Sequence, residues 1–380
     1  MTSAQTEERE KDSILLTIMP YGSFRGHFAF YNQEIEFQEN ASRIGFYLGI
    51  DKRGYTFFTG IELGMNLFKS NSQFNSDGNT AGGFLVAQKD QVNQVFNSRL
   101  GYLGMDFGKW GRLTLGKQWS VYYDITSYTD LFNVFGGQGS ATYNAGTDGG
   151  SSGTGRADQS VIYRNRMGKF TFGLQAQAKN AFNNEWIDGF GVSAQYEILE
   201  GLRIGGAYNR AYISDLLIEQ SNVLGLSGNP TYYSAGISYR SRHLDLGFVF
   251  AKQSNGDLTE GLIIVPDGGE EFPTVIFDAT VFEFFGKYKW QEFAVLGGYN
   301  FYDPDTEDLI EPYGKKVVSD QFGVRNLILG AEYRPFHIAY FYAEARFAEG
   351  YNSFGLKTSD VVTLGLRVQI DHQFKRTILY

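Results

Sequence analysis

From Val362 to Asp371 the chain alternates without interruption. Val362, Leu364, Leu366, Val368 and Ile370 fall on one side, and Thr363, Gly365, Arg367, Gln369 and Asp371 on the other. A period of two sorts apolar from polar residues only in a β-strand. The pattern recurs upstream. After Tyr21, residues Phe24, Phe28 and Phe30 oppose Ser23, Arg25 and His27. From Ser42 to Ile50, residues Ile44, Phe46, Leu48 and Ile50 oppose Arg43, Gly45 and Tyr47. Ile61, Leu63 and Met65 oppose Glu62, Gly64 and Asn66, and Phe170, Phe172, Leu174 and Ala176 oppose Thr171, Gly173, Gln175 and Gln177.

Short turns such as Lys52-Arg53-Gly54, Gly108-Lys109-Trp110-Gly111 and Ser241-Arg242-His243 alternate with longer polar loops. About sixteen segments of this kind can be counted, a number that closes into a barrel with a water-filled lumen. The loops read from Lys69 to about Val95, up to Pro230, up to Pro273 and up to about Gly323.

The apolar faces have no second apolar sheet to pack on, which argues against a soluble two-sheet sandwich. Arg43, Arg99, Arg112, Arg203 and Arg367 all read onto the polar face. At mid-depth on a lipid-facing surface each would cost about 2–4 kcal/mol. Aromatic residues near strand ends (Tyr239, Tyr288, Trp290, Tyr333, Phe374) suit interfacial girdles. The expected fold is therefore all-β: a transmembrane antiparallel up-and-down barrel occupying residues 14–380 as one domain, after a polar segment, 1–13.

Composition narrows the alternatives. With 47 Gly, 7 Pro and 16% aromatic residues, the chain suits a large antiparallel sheet with tight turns. It has no Cys, hence no disulfide, and a net charge of −9 speaks against nucleic acid as a partner. No run of 18 apolar residues is present, so no transmembrane helix is expected. The apolar run Ile14–Met19 is too short for a signal-peptide core, so for an outer-membrane protein the sequence is expected to be a mature or recombinant form.

One insert breaks the rhythm. Between strand-like segments ending at Trp119 and resuming before Asn165 lies a loop, 120–158, too long to be a simple connection. Its first half is aromatic, with Tyr122, Tyr123, Tyr128 and Phe132 leading into Phe135-Gly136-Gly137. We expect it to fold into the lumen.

These strings resemble the trimeric general-diffusion porins of the Gram-negative outer membrane, most closely the enterobacterial kind. GRLTLGKQWSVYYDITSYTDLFNVFGGQGS resembles that family's fifth strand and constriction loop, and GRADQSVIYRN the start of its sixth strand. SRIGFYLG and SRLGYLGMDF resemble the second and fourth strands, PYGSFRG the first, and HQF the aromatic C-terminal ending. The resemblance implies passive diffusion of ions and small hydrophilic solutes, a homotrimer in a lipid bilayer carrying lipopolysaccharide, and no cofactor. It implies a basic ladder of Arg43, Arg99 and Arg156 facing Asp130, with Asp124 also on the loop. It also makes 69–95 a latch over a neighbouring subunit.

The chain departs from the family in three places. Ser23 replaces a Lys, with Arg25 two residues on, on the same face. Val134 replaces a Glu, and Gln138 an Asp after Gly136-Gly137. The family chain also ends at its Phe, whereas Lys375–Tyr380 follow Phe374 here.

Other readings stay beside these. The arginines can serve as tethers for the loop, Asp130 can be held by a loop-internal hydrogen bond, and the loop aromatics can be wall packing. A substrate-selective porin for anions or oligosaccharides, or a plugged structural barrel, is the alternative function. Asp303, Asp305, Glu307 and Asp308 read as a solvated acidic loop before a cation site, so no metal is expected. Gly149–Gly155 lacks the Lys-Ser/Thr of a phosphate loop, and the four His have no ligand spacing. An enzyme is not expected.

Overall fold

In a computed structural model the structure describes residues 13–65, 95–137, 149–150, 152–179, 185–214, 227–264, 271–305 and 315–379. The polar segment 1–12, the latch candidate within 69–94, Gln138, Ser151, Glu307 and Asp308 lie outside them. The strands are β1 Ser13–Tyr31, β2 Glu34–Glu39, β3 Arg43–Lys52, β4 Tyr55–Met65, β5 Phe96–Asp106, β6 Arg112–Trp119, β7 Arg156–Met167, β8 Phe170–Gln177, β9 Gly189–Leu199 and β10 Leu202–Ala211. They continue with β11 Thr231–Arg240, β12 Leu244–Ile264, β13 Glu271–Trp290, β14 Phe293–Asp305, β15 Lys315–Val317, β16 Val324–Tyr333, β17 Ala339–Ala348, β18 Val361–Asp371 and β19 Phe374–Leu379.

Sixteen strands form a closed antiparallel wall. Each pairs with its sequence neighbour, and the ring shuts where β1 meets β18 through Tyr21↔Asp371 to Phe30↔Val362. The remaining three are short. β2 runs along Gly26–Tyr31 of β1, β15 along Leu262–Ile264 of β12, and β19 along Ser13–Ile18 of β1.

The two faces separate as the alternation requires. Phe46, Phe57, Leu103, Phe284, Leu329 and Leu364 stand exposed on the outside. Ser23, His27, Glu62, Gln175, Glu283, Asn300 and Thr363, all polar, are buried on the inside. Large apolar side chains exposed on strand after strand are what a lipid solvent demands.

Four elements depart from the alternation. The segment after Lys252, read as a loop up to Pro273, is a continued hairpin of β12 with β13. Register shifts between Gln253 and Asp257 and between Glu260 and Ile263 break its period, so bulges hide the strand from a period-two reading. The apolar run Ile14–Met19 is part of β1, Ser13 belongs to the strand and not to the preceding segment, and the tail after Phe374 is β19. Asn40–Ser42, with Ala41 at φ 53°, separates β2 from β3.

The lipid-facing assignment carries a test. Leu364→Arg is expected to destabilise the folded barrel by about 2–4 kcal/mol, whereas Gln369→Lys on the lumen face of β18 changes it little. Urea titration of liposome-folded protein, followed by the folded-band shift on gels, measures both.

Candidate functional site

The loop after β6 leaves the wall at Trp119, and its described part, 120–137, lies against the polar, inner face of the barrel. A single helical turn, α1 (Tyr123–Thr126), opens it. The wall beneath carries Gly where loop backbone or loop side chains come too close for a wall side chain. A Cβ on Gly247 would lie 2.1 Å from the Tyr128 carbonyl oxygen, and one on Gly298 would lie 2.6 Å from the Phe132 ring.

Three buried wall carboxylates grip the loop from three strands. Glu283 of β13 accepts the Thr129 hydroxyl at 2.7 Å. Glu332 of β16 accepts the Asn133 amide at 3.0 Å. Glu344 of β17 accepts the backbone N–H of Asn133 at 2.6 Å and of Val134 at 2.8 Å, together with the Asn133 side chain at 3.0 Å. Asn133 is satisfied throughout: its Oδ1 takes the Tyr340 hydroxyl at 2.9 Å and its carbonyl the Asn40 amide at 2.9 Å. A buried charge is tolerated only when so paired. Glu332 also holds Lys287 and Arg334, each at 2.7 Å.

Apolar contacts reinforce this grip. Phe132, Val134 and Phe135 pack with Phe285, Ile328, Tyr340 and Tyr342 of the wall, and the Phe132 ring meets Phe285 edge-on at 4.9 Å. Nearer the start of the loop, Tyr122, Ile125 and Tyr128 pack on Tyr232 and Val249. Asp124 accepts from Arg164 of β7 at 3.1 Å and from the Ser193 hydroxyl of β9 at 2.8 Å. Asp124 is thus a tether to the wall.

Arg99 and Arg43 share one acid. Arg99 Nε donates to Glu62 at 2.8 Å, Arg43 Nε lies 3.8 Å from the same carboxylate, and the Tyr21 hydroxyl donates to it at 3.1 Å. Arg99 reaches Glu62 through a bulge. Glu62 pairs with Leu100 and Leu63 with Ser98, so Arg99 is the extra residue. A simple count would group it with Gly101 and outward-facing Leu103.

Arg25 sits on the inner face beside Ser23, whose hydroxyl takes its Nε at 2.9 Å, and directly opposite Arg367 across the seam. Arg156 is buried, with its guanidinium 5.6 Å over the Trp119 ring. Trp119 stacks at 4.0 Å on Tyr123, whose hydroxyl donates to Asp130 at 2.8 Å. Asp130 therefore has a loop-internal hydrogen bond, and aromatic rings link it to Arg156. Phe135 lies under Arg346 at 5.4 Å, and its carbonyl takes the Asn300 amide at 3.3 Å. Gly136 leaves room for the Asp130 carboxylate, which a Cβ would approach to 2.8 Å, and Gly137 has φ 61°.

Sequence reasoning passed over Asn133 and the wall acids Glu283, Glu332 and Glu344. One signal was available: Asn133 is the sole polar residue in Leu131–Phe135, and a polar residue inside a buried apolar run must find partners.

Residues 3–368 match the Gram-negative porin family. Among relatives, outer membrane protein F of Serratia marcescens is 28% identical over 223 residues, 56% of this chain and 55% of that protein. Outer membrane protein S2 of Salmonella typhi is 26% identical over 306 residues, 72% of this chain and 75% of that protein. The chain thus spans about half the length of the first and three quarters of the second. Among solved structures, OmpF of Salmonella typhi in complex with daunomycin superposes with a TM-score of 0.68 at 18% identity, covering 93% of this chain and 97% of that one. OmpT of Vibrio cholerae in its trimer form gives 0.61 at 15%, covering 93% and 99%. These structures share the fold. A closed sixteen-strand wall with an apolar belt, and a family match along nearly its whole length, make this chain a member of the Gram-negative porin family, a β-barrel protein of the outer membrane.

Proposed function

We propose that the barrel is a water-filled channel for passive diffusion of ions and small hydrophilic solutes, throttled by the loop 120–158. The observation that carries this reading is the docking of Asn133 onto Glu344 and Glu332, which fixes a long segment against the inner wall and not above the rim. Arg25, Arg43, Arg99 and Arg156 form the basic side of the passage and Asp130 the acidic side. The protein works as a homotrimer in a bilayer with lipopolysaccharide on its outer leaflet; the OmpT structure in trimer form supports that assembly.

Size exclusion dominates over charge. Across about 10 Å of water an Arg and a carboxylate interact by only about 0.4 kcal/mol, screened further over a Debye length of about 8 Å. A row of arginines can still tilt permeability a few-fold. One observation favours a second reading, an anion-preferring pore. Asp124 is paired with Arg164, and Val134 and Gln138 stand where the family carries acids.

Purified protein in planar bilayers is expected to give stepwise conductance, and its complete absence sinks the channel reading. In a salt gradient the reversal potential should indicate mild anion preference. Arg43→Gln together with Arg25→Gln should shift it toward cations a few-fold, more than Arg99→Gln, whose charge is already committed to Glu62 at 2.8 Å.

Asn133→Ala removes one side-chain donor from each of Glu332 and Glu344, and a hydrogen bond to a charged group is worth about 1.5–3 kcal/mol. Hydrogen exchange across 120–137 should rise while the strands stay protected, and single-channel currents should become noisier. Unchanged exchange would refute the pin.

A further inference from the structure

We infer that the short-turn mouth of the barrel carries a binding subsite for a phosphate monoester, the dianionic group of a small phosphorylated solute. The inference rests on the channel reading above and specifies a solute class for it. A cavity of about 240 Å³ opens beside the β7–β8 turn, lined by Arg166, Lys169, Thr171, Gln195, Glu197 and Arg203. The wall register brings them together: Arg166 opposes Thr171, Thr171 opposes Gln195, and Glu197 opposes Arg203.

Three cations face one carboxylate, and the carboxylate is taken. Arg166 donates to Glu197 at 2.8 Å, and Lys169 is held by the Ile198 carbonyl at 3.1 Å. Arg203 forms no hydrogen bond or ion pair among the described residues. Its charged neighbour across the next strand pair is Arg240, which repels it and is itself engaged by Asp245 at 4.0 Å and the Tyr128 carbonyl at 3.3 Å. Like charges gathered on one face of a sheet are unfavourable unless something balances them.

The excess of two positive charges matches a dianion. Arg166 is also held by the Gly168 carbonyl at 3.0 Å, so the open guanidinium fork is that of Arg203, which suits phosphate oxygens bidentately, with Lys169 as a point charge beside it. The neutral groups suit an organic remainder. Thr171 offers a hydroxyl, and Gln195, whose Oε1 already takes the Tyr128 hydroxyl at 2.8 Å, keeps its amide N–H groups for solute hydroxyls. The volume lies below the about 300–1,000 Å³ of pockets for drug-sized ligands, which fits a sugar phosphate or smaller. The Tyr128 contact also sets the cavity next to the loop, on the path of a solute that has passed it.

Glucose 6-phosphate is the probe, added at the short-turn side of single channels in low-salt KCl. It should reduce the current saturably, while glucose at the same concentration does not. Arg203→Gln should raise the half-saturating concentration about tenfold, the size of one lost charge-assisted hydrogen bond, and Arg203→Lys should raise it less. Identical titrations of wild type and R203Q, or a half-saturation for inorganic sulfate equal to that for glucose 6-phosphate, would overturn the assignment. Phosphorus-31 line broadening with detergent-folded barrel reads the subsite without current. Broadening by wild type and not by folded R203Q supports it even where no conductance steps occur, an outcome that removes the channel reading alone. Open channels with neither saturable block nor broadening remove the subsite alone.

Discussion

Inside a bilayer a backbone N–H or C=O has no water to turn to, and each one left open costs several kcal/mol. That constraint makes the β1–β18 seam the joint on which the rest depends. An open sheet of this size would expose two edges to lipid; the closed ring exposes none. Closure also creates the inside. Once the ring is shut, residues that alternate with the apolar belt must face a common lumen, and their polarity follows from that confinement.

A second constraint acts within the lumen. A loop folded against the inner wall gives up chain entropy, about 1–2 kcal/mol for each ordered residue, and must be held by interactions that offset it. The buried carboxylates of Glu283, Glu332 and Glu344 supply them. Each would be costly without partners, and the loop provides the partners, so wall acid and loop donor stabilise one another. The close approach at Gly247 and Gly298 belongs to the same solution, since the loop main chain at Tyr128 and the Phe132 ring can sit this near the wall only where it has no side chain.

How far the sequence could be read follows from which signals are local. β18 was legible because nothing interrupts its period, and the closed barrel followed from repetition of that pattern. The continued β12–β13 hairpin was hidden, because bulges shift the phase by which a strand is recognised. Arg99 was placed with the polar face although parity groups it with Leu103; a bulge, invisible in one strand alone, turns it to Glu62. The loop itself announced its presence through length and aromatic content. Its anchors did not, for Glu344 lies 211 residues from Asn133 and in β17 reads as one more polar residue. Partnership across such a distance is a property of the closed ring, and only the ring brings the two together.

Charge in the lumen is then set by what anchoring leaves over. The chain is acidic as a whole, with a net charge of −9, yet several inner acids are spent. Glu62 is shared by Arg43 and Arg99, Glu332 by Lys287 and Arg334, and Asp124 is held by Arg164. An acid clamped between cations contributes little net field to the lumen, whereas Arg203 and Arg367 form no ion pair among the described residues. Holding the loop and thinning the unpaired negative charge on the inner face therefore share one origin: Asp124 and Glu332 bind the loop while each is also paired with wall cations.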